Sequence, residues 1–328
     1  MTPLLWTFVK IILFMIVGLI NVALLTWYER KVIGRFQFRM GPTVAGPKGL
    51  LQPIADVLKL LQKESIIPFK ADKILFLLAP AIAFIPAMAL YLVIPIGPGL
   101  QPANLNYGLV FMFAMSSFMP LALVLAGFSS HNKFSLLGGM RAAAQQISYE
   151  VPLFLAALAV VLLAGSLNLG VIVNAQKSLW FVILQPVAFL IFLSASVAEL
   201  NRPPFDTPAA DSELVGGFST EYTGIKFAIF FLVEYSNLLI VGALTTTLFL
   251  GGWRGPLLPP FIWFFAKTYF VIFLLIWVRT TFPRVRVDQL MNLCWKVFIP
   301  ISIANLLITS VLLLYSRPVL SMIPGVKL

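Results

Sequence analysis

The chain has 328 residues, of which 60% are hydrophobic and only 11% are charged, and its mean hydropathy is +0.97. A soluble domain of this length could not hide that much apolar surface, so the composition predicts a protein that crosses a membrane several times. The net charge of +11 does not indicate a nucleic-acid partner, because the basic residues lie mainly in loops and do not cluster with aromatic residues. A single cysteine, Cys294, and a single histidine, His131, exclude a disulfide framework and a zinc or iron–sulfur site made by this chain alone.

Eight apolar stretches approach the length of about 20 residues that a helix needs to cross a bilayer. They predict an all-α integral membrane protein, a single polytopic domain over residues 1–328 with a bundle of eight transmembrane helices. The first stretch has no basic start and no small-residue cleavage site, so we expect a retained helix and not a signal peptide. The predicted spans lie near 3–28, 74–95, 106–128, 143–165, 178–199, 223–250, 257–279 and 294–316.

The distribution of positive charge predicts the orientation. Most of the 23 Lys and Arg residues lie in or beside four alternate loops. By the positive-inside rule these loops face the cytoplasm, or the matrix of an organelle, and both termini face the other side. The inside loops are predicted at about 29–73, 129–142, 200–222 and 280–293.

The first inside loop contains the stretch GLLQPIADVLKLLQKE, which has one apolar stripe at helical spacing. Asp56, Lys59 and Lys63 lie on the other side, and the stretch is too short and too charged to span a membrane. It predicts an amphipathic helix along the membrane interface or under the bundle, with an ordinary surface helix as the alternative. The stripe comprises Leu50, Ile54, Val57, Leu58 and Leu61.

The acidic residues are concentrated in one part of the chain. Half of the twelve lie between Glu199 and Glu234, in the third inside loop and the helices beside it. A charged side chain at the bilayer centre costs ~2.5–3.5 kcal/mol on insertion scales, so acids kept at such depth indicate function. The six residues are Glu199, Asp206, Asp211, Glu213, Glu221 and Glu234.

Two interpretations of the acids compete. Carboxylates buried near one another ionise less readily, so a chain of them can pass protons. Alternatively, each acid pairs with a basic residue and only fixes packing. We favour pairing for Asp56, Asp72 and Asp288, which have Lys or Arg nearby in sequence, and a proton relay for Glu150 and Glu234, which have none. The expected partners of Asp288 are Arg279, Arg284 and Arg286.

Two further charges stay open at this point. Glu199 has Arg202 three residues on, so either interpretation fits it. Lys267 lies inside the seventh predicted helix, one turn after Trp263, and should face the bundle interior, a partner or water. The sequence contains no nucleotide-binding loop, nucleophile–base pairing or metal spacing. From the residues alone the chain is a proton-coupled transporter, a channel or one subunit of a larger complex.

Six long motifs follow one another over nearly the whole chain. They are ERKVIGRFQFRMGPTVAGPKGLLQPIADVLKLLQKE (29–64), AAAQQISYEV (142–151), AELNRPPFD (198–206), SELVGGFSTEY (212–222), EYSNLLIVGALTTTLFLGGW (234–253) and RTTFPRVRVDQLM (279–291). In this order they closely resemble the H subunit of bacterial NADH:quinone oxidoreductase, respiratory complex I, whose mitochondrial counterpart is NADH dehydrogenase subunit 1. That family's eight-helix plan agrees with the predicted spans.

The resemblance implies a membrane subunit that forms much of the quinone chamber and couples quinone reduction to proton translocation. Quinone is then the substrate, while FMN, NADH and iron–sulfur clusters bind to partner subunits and no redox cofactor binds to this chain alone. The implied partners are peripheral-arm subunits, including the carrier of the terminal iron–sulfur cluster, small membrane subunits, antiporter-like subunits and membrane lipid, without nucleic acid. The implied location is the bacterial cytoplasmic (inner) membrane. Homologous subunits of ferredoxin-, coenzyme-F420- or hydrogen-linked complexes are the alternative.

The resemblance also assigns candidate site residues, carried over motif by motif. Many family members have a Glu where this chain has Ala209, so the third inside loop (200–222, the acidic loop) has one carboxylate fewer here. The quinone chamber would include Glu29, Arg30, Arg39, Asp56, Asp206, Asp211, Glu213, Arg279, Arg284 and Arg286. The proton-coupling path would include Glu150, Glu199, Glu213, Glu221 and Glu234, with Lys267 as an open candidate.

Overall fold

The computed structural model describes residues 3–208 and 211–320, with side chains described over 9–208 and 213–315. Within these ranges nearly all regular structure is helical, and one isolated β-bridge joins Gly97 and Leu100. The helices are α1 (Pro3–Phe36), α2 (Gln52–Gln62), α3 (Lys73–Tyr91), α4 (Gly108–Ser116), α5 (Phe118–Ser129), α6 (Lys133–Ala164), α7 (Leu169–Ala175), α8 (Phe181–Leu184), α9 (Pro186–Glu199), α10 (Asp211–Leu214), α11 (Gly224–Phe249), α12 (Pro260–Thr281), α13 (Val287–Leu293) and α14 (Ile299–Leu320). A π-helical turn over Cys294–Phe298 joins α13 to α14.

Seven segments in the described part of the chain are long and apolar enough to cross a membrane. They are α1, α3, α4 with α5, α6, α11, α12, and α13 with α14. The 22 residues of α12 extend about 33 Å at the α-helical rise, which matches a hydrocarbon core of about 30 Å. The prediction of an all-helical polytopic membrane protein is therefore confirmed.

The predicted span near 178–199 does not form a helix long enough to cross a bilayer by itself. It consists of the single turn α8 and the 14-residue α9, which is about 21 Å long. Pro186 separates the two because it has no backbone N–H to donate. Even so, contacts at the two ends of α9 join it to different helices. Gln185 Nε2 donates to Thr309 Oγ1 on α14 (2.7 Å), while Arg202, just past the other end, binds Glu29.

The predicted span near 106–128 is likewise interrupted. It forms α4 and α5, which meet at Ser117. Pro120 lies in the first turn of α5 and cannot donate a hydrogen bond to the carbonyl of Ser116, so the hydrogen-bond ladder lacks one bond at this point. The Ser117 hydroxyl is thereby placed at a break in the helix, where it contacts Glu150 of α6.

The loops collect on two faces of the bundle. The basic face carries the connections 37–72, 130–132, 200–223 and 282–286, and backbone bonds join them: Asp72 N donates to Ser129 O (3.0 Å) and Val285 N to Pro204 O (2.9 Å). The opposite face carries 92–107, 165–180 and 250–259, where Leu109 N donates to Leu167 O (3.1 Å).

Close helix packing around α6 relies on small residues. A Cβ on Gly127 would lie 2.6 Å from the carbonyl oxygen of Ser135, and a Cβ on Gly139 would lie 2.7 Å from that of Leu123. Glycines therefore let α5 and α6 approach until their backbones touch, as small residues do in membrane bundles. α6 ends where Gly165 adopts a left-handed conformation (φ 65°).

The loop after α9 turns back into the bundle. Gln145 Nε2 donates to the carbonyls of Ala198 and Phe205, each at 2.7 Å. Gln145 lies more than three turns inside α6 from its first residue, Lys133, so residues 200–208 run below the basic face. We call residues 200–208 the recessed loop.

The amphipathic stretch does form a helix, α2. Its five stripe residues are between 41% and 54% exposed, so the apolar side faces away from the protein. Arg30 Nη1 holds α2 against α1 through Asp56 Oδ2 at 2.6 Å. Its position at a membrane interface stays a prediction.

Candidate functional site

Four charged side chains from four separate elements meet inside the basic half of the bundle. Glu29 of α1 is 1% exposed, and Arg202 Nη1 of the recessed loop donates to its Oε2 at 2.7 Å. Arg279 Nη1 of α12 binds the other carboxylate oxygen of Glu29. Arg202 Nε also lies 3.2 Å from Oε1 of Glu234 on α11, and its guanidinium lies 4.7 Å above the Tyr235 ring. We call Glu29, Arg202, Glu234 and Arg279 the Glu29 cluster.

The Glu29 cluster is electrically balanced, with two carboxylates and two guanidinium groups. Burial disfavours a charged Arg202, but Glu29 and Glu234 outweigh that effect and raise its pKa. Buried charges persist when each is paired, whereas removal of one partner leaves a costly unpaired charge. Glu234 has no Lys or Arg nearby in sequence, and the recessed loop supplies one from a distance by bringing Arg202 to it. Arg202 does not pair with Glu199.

Glu234 also faces a cavity between α11 and the recessed loop. Its side chain is 42% exposed although it lies ten residues inside α11. The same cavity is lined by Gln146, Glu199 and Asn237. A second cavity is lined by these three residues together with Glu150. Glu234, Glu199 and Glu150 therefore follow one another along two adjoining cavities.

Unsatisfied polar atoms line this route. Gln146 Oε1, Ser196 Oγ and Asn201 Oδ1 are buried and have no hydrogen-bond partner within the described residues. Buried polar groups of this kind are the positions at which internal water binds. Ser117 Oγ contacts Glu150, and a hydroxyl can donate to a carboxylate or accept from a carboxylic acid, so it suits both protonation states of Glu150.

A separate ion pair lies nearer the basic face. Arg141 Nη1 of α6 donates to Glu213 Oε2 at 2.6 Å, and both side chains are partly exposed. This hydrogen bond, together with the charges of Arg284 and Arg286, lowers the pKa of Glu213. Glu213 is thus held as an anion at the end of the acidic loop.

The remaining predicted chamber residues lie on the basic face. Arg30 and Asp56 join α1 to α2, so the partner of Asp56 comes from another helix and not from the neighbouring Lys59. Arg39 is exposed, donates to Gln37 Oε1 (2.7 Å), and lines a groove together with Arg30.

The last basic loop is organised differently from the prediction. Of the three arginines expected to pair with Asp288, Arg286 lies 3.7 Å from it, in a largely exposed pair. Arg279 instead binds Glu29. Asp72, also predicted to pair with a cation, caps α3 by accepting from Ile74 N (3.1 Å) and Leu75 N (3.4 Å), as Asp does at helix N-termini.

Two predicted path residues lie apart from the cavities. Glu221 accepts from Asn132 Nδ2 at 2.7 Å and lines a surface groove with His131. Lys267 is near the opposite face, where its amine donates hydrogen bonds to backbone carbonyls of the loop after α11.

The acidic loop itself is described only in part. Asp206 lies close enough to Glu234 to act on it electrostatically. The side chain of Asp211 and residue Ala209 lie outside the described residues.

Several side chains of the site were not predicted as site residues. Arg202 and Arg141 supply the cations for the acids, while Gln146 and Asn237 link the two cavities. The sequence could have indicated Arg202 as a site residue, because it is the only cation in the recessed loop and acids lie close to it on both sides. No local pattern marks Asn237, because its role depends on which helix faces α11.

The fold and the site define a polytopic helical membrane protein with carboxylates and paired arginines along cavities inside its bundle. The sequence profile of the NADH dehydrogenase family matches residues 9–310, and the chain belongs to that family. Its relatives are named as the H subunit of NADH-quinone oxidoreductase, so the transporter and other-donor alternatives are not favoured.

Three relatives illustrate the similarity. The protein of Dehalococcoides mccartyi (strain CBDB1) is 50% identical over 307 residues, covering 93% of this chain and 87% of the relative. One of the H subunits of Geobacter sulfurreducens is 50% identical over 315 residues, 93% of this chain and 96% of the relative. The protein of Anoxybacillus flavithermus is 51% identical over 316 residues, 93% of this chain and 95% of the relative.

Proposed function

We propose that this chain forms much of the quinone-binding chamber of an NADH:quinone oxidoreductase and couples quinone reduction to proton translocation. Family membership and the names of the relatives support the oxidoreductase. The single observation that carries the coupling role is the series Glu234, Glu199 and Glu150 along adjoining cavities. The cavities begin at the Glu29 cluster, next to the loops of the basic face.

The proposed quinone chamber is supported by the charged side chains at the basic face. Reduction of a quinone to a quinol takes up electrons and protons, so a reduction site needs nearby groups that stabilise the developing anion and supply protons. Guanidinium groups serve the first purpose and carboxylic acids the second. The proposed chamber residues are Glu29, Arg30, Arg39, Asp56, Asp206, Asp211, Glu213, Arg279, Arg284 and Arg286.

The proposed coupling to proton translocation is supported by the Glu29 cluster together with the two adjoining cavities. A negative charge developing near Arg202 or Arg279 competes with Glu29 and Glu234 for the same guanidinium groups. Glu234 released from Arg202 then becomes a stronger proton acceptor, and it faces the cavity that leads to Glu199. Protons would pass among these carboxylates through water at the buried polar atoms. Glu213 and Glu221 would take part from the basic face.

Electron carriers and other partners belong to neighbouring subunits in this proposal. FMN, NADH and iron–sulfur clusters would be bound there, and this chain would contact the protein that holds the terminal cluster. Small membrane subunits, antiporter-like subunits and lipid would surround the bundle.

We also propose that the chain is one polytopic domain that crosses the inner membrane eight times. α9 supports this count because it connects the loops of the opposite face, at 165–180, to those of the basic face, at 200–223. It is short because the recessed loop begins at membrane depth. Eight crossings put both termini outside, opposite the basic face.

The test is Glu199→Gln in the assembled complex. The amide keeps the size of the side chain but cannot exchange a proton, so we expect proton pumping per quinone reduced to fall by more than tenfold. NADH-driven quinone reduction and a pH-sensitive dye would be recorded on the same membranes. Asp288→Asn is the matched control, because its carboxylate is exposed and paired at 3.7 Å. Normal pumping by an assembled Glu199→Gln complex would contradict the coupling role.

A further inference from the structure

Lys267, which the proposed path does not use, is built into the opposite face. Its side chain is 7% exposed, and Nζ donates to the carbonyls of Leu250 (2.6 Å), Gly252 (3.2 Å) and Arg254 (2.5 Å). An ammonium group has three donors, so these three bonds use all of them. The amine also lies 4.4 Å above the Trp180 ring, within the range of a cation–π contact.

The loop that Lys267 holds, residues 250–259, has further anchors. Trp263 Nε1 donates to Pro256 O at 2.7 Å, and Gly251 N donates to Gln176 Oε1 at 2.9 Å. Arg254 Nη2 donates to Asn174 Oδ1 at 2.6 Å. The backbone of this loop is therefore fixed from three sides. We call residues 250–259 the clamped loop.

The clamped loop presents an apolar tip to its surroundings. Leu257 is fully exposed and has a φ of 70°, in the left-handed region that is unfavourable for a non-glycine residue. Leu258 is half-exposed, and so are Phe261 and Ile262 in the first turn of α12. The apolar tip is thus available for contact with a partner outside the chain.

The position of this tip limits what the partner can be. α12 matches the hydrocarbon core in length and begins at Pro260, so its start lies near the edge of the core. Leu257 is three residues earlier and lies at most about 10 Å from that point. The polar zone of a bilayer is about 5–7 Å thick on each side. The tip therefore lies within about 10 Å of the edge of the core, a range that includes the level of the lipid headgroups.

We propose that the clamped loop is a rigid lipid anchor, with Leu257 and Leu258 inserted among the glycerophospholipids of the leaflet at the opposite face. Apolar side chains at this depth gain from contact with the upper acyl chains. The guanidinium of Arg254 beside the tip is the group that matches lipid phosphate. Lys267 serves as a positioning residue, since it fixes the carbonyls that set the course of the loop.

The test uses the full chain in nanodiscs of phosphatidylethanolamine and phosphatidylglycerol. Its only cysteine, buried Cys294, is changed to alanine, and Leu257→Cys is labelled with the fluorophore NBD. Lys177→Cys, on a charged exposed residue of the same face, is the matched control. We expect the label at 257 to emit at shorter wavelength. Its quenching by iodide should be several-fold weaker than at 177, and headgroup-level nitroxide lipids should quench it more than deep ones.

Three outcomes would overturn the proposal. Iodide quenching equal to that of the 177 label would put the tip in water, and protection from both iodide and nitroxide lipids would bury it in protein. In the assembled complex, a photocrosslinker at position 257 that captures a neighbouring protein instead of lipid would assign the tip to an interface between subunits.

The role of Lys267 has its own readout. Lys267→Met keeps most of the aliphatic length but removes the three donated hydrogen bonds, so we expect the 257 label to lose its preference for headgroup-level quenchers and gain iodide access. Unchanged quenching in a folded Lys267→Met chain would show that Lys267 does not position the clamped loop. None of these measurements depends on quinone reduction, so they fail or succeed separately from the proposed function.

Discussion

At the scale of single residues, Arg202 decides how the acids of this chain behave. It lies 173 positions from Glu29, and Glu29 lies 250 positions from Arg279. The acids at depth could be recognised from sequence, because a carboxylate in an apolar stretch is visible locally. Their partners could not, because no local pattern reports which distant side chain folding brings within hydrogen-bond reach. Glu234, which has no cation nearby in sequence, is an example, because Arg202 reaches it only in the folded chain.

Arg202→Gln should destabilise the assembled complex by about 3–5 kcal/mol, because Glu29 and Glu234 would lose a shared counter-charge in a buried site. Thermal inactivation of the purified complex and the amount assembled in membranes would measure the effect. Arg286→Gln is the matched control, since its exposed pair should contribute about 0–1 kcal/mol.

Neutralising both sides distinguishes lost charge from lost packing. The double variant Glu234→Gln with Arg202→Gln should recover part of the stability that Arg202→Gln loses, because Glu234 is the carboxylate left without a salt bridge, whereas Glu29 keeps Arg279. If Arg202→Gln inactivates at the same temperature as the unmodified complex, the Glu29 cluster does not carry the stability assigned to it.

At the scale of elements, α6 positions the site. Its Gln145 holds the recessed loop, its Gln146 and Glu150 line the cavities, and Gly138 lets the turn at Gly217 approach. The contact at Gly138 brings two backbones together, and the Gly138-Gly139 pair in the sequence does not indicate which distant backbone will approach it. The break before α9 was missed in the same way, because hydropathy averages over a whole stretch and does not register one proline.

Gly138→Ala should therefore separate α6 from the turn over Gly217–Ser219. The new Cβ would lie 2.6 Å from Gly217 Cα, and neither backbone can yield without moving its element. We expect a loss of about 1–3 kcal/mol, as for other overpacked sites, together with slower quinone reduction. Thermal inactivation and NADH-driven turnover would measure both.

Gly216→Ala is the control for that variant. It adds the same methyl group beside Gly217, on the other side of that contact, at ordinary contact distance (3.4 Å) from Thr220 Oγ1. Equal behaviour of the two variants would show that close approach at Gly138 does not matter to the site.

At the scale of the whole molecule, the number of crossings decides where the C-terminus lies. Eight crossings place it with Lys177 on the opposite face, whereas seven would place it with the basic face. Lys327→Cys should therefore react with a membrane-impermeant maleimide in right-side-out spheroplasts as Lys177→Cys does. Lys63→Cys, on the basic face, should stay unlabelled. Labelling of Lys327→Cys only after the membrane is opened would contradict the eight-crossing proposal.

The sequence by itself determined that this is a helical membrane protein and, through its collinear motifs, the family to which it belongs. Insertion of a segment into a bilayer depends mainly on that segment's own length and apolarity, so local composition predicts it. Only the tertiary structure decided which acid meets which arginine, where Lys267 is used, and that Glu234, Glu199 and Glu150 share adjoining cavities. Electrostatic pairing acts over a few ångströms in space, and residues far apart in the chain reach that distance only after the helices have packed.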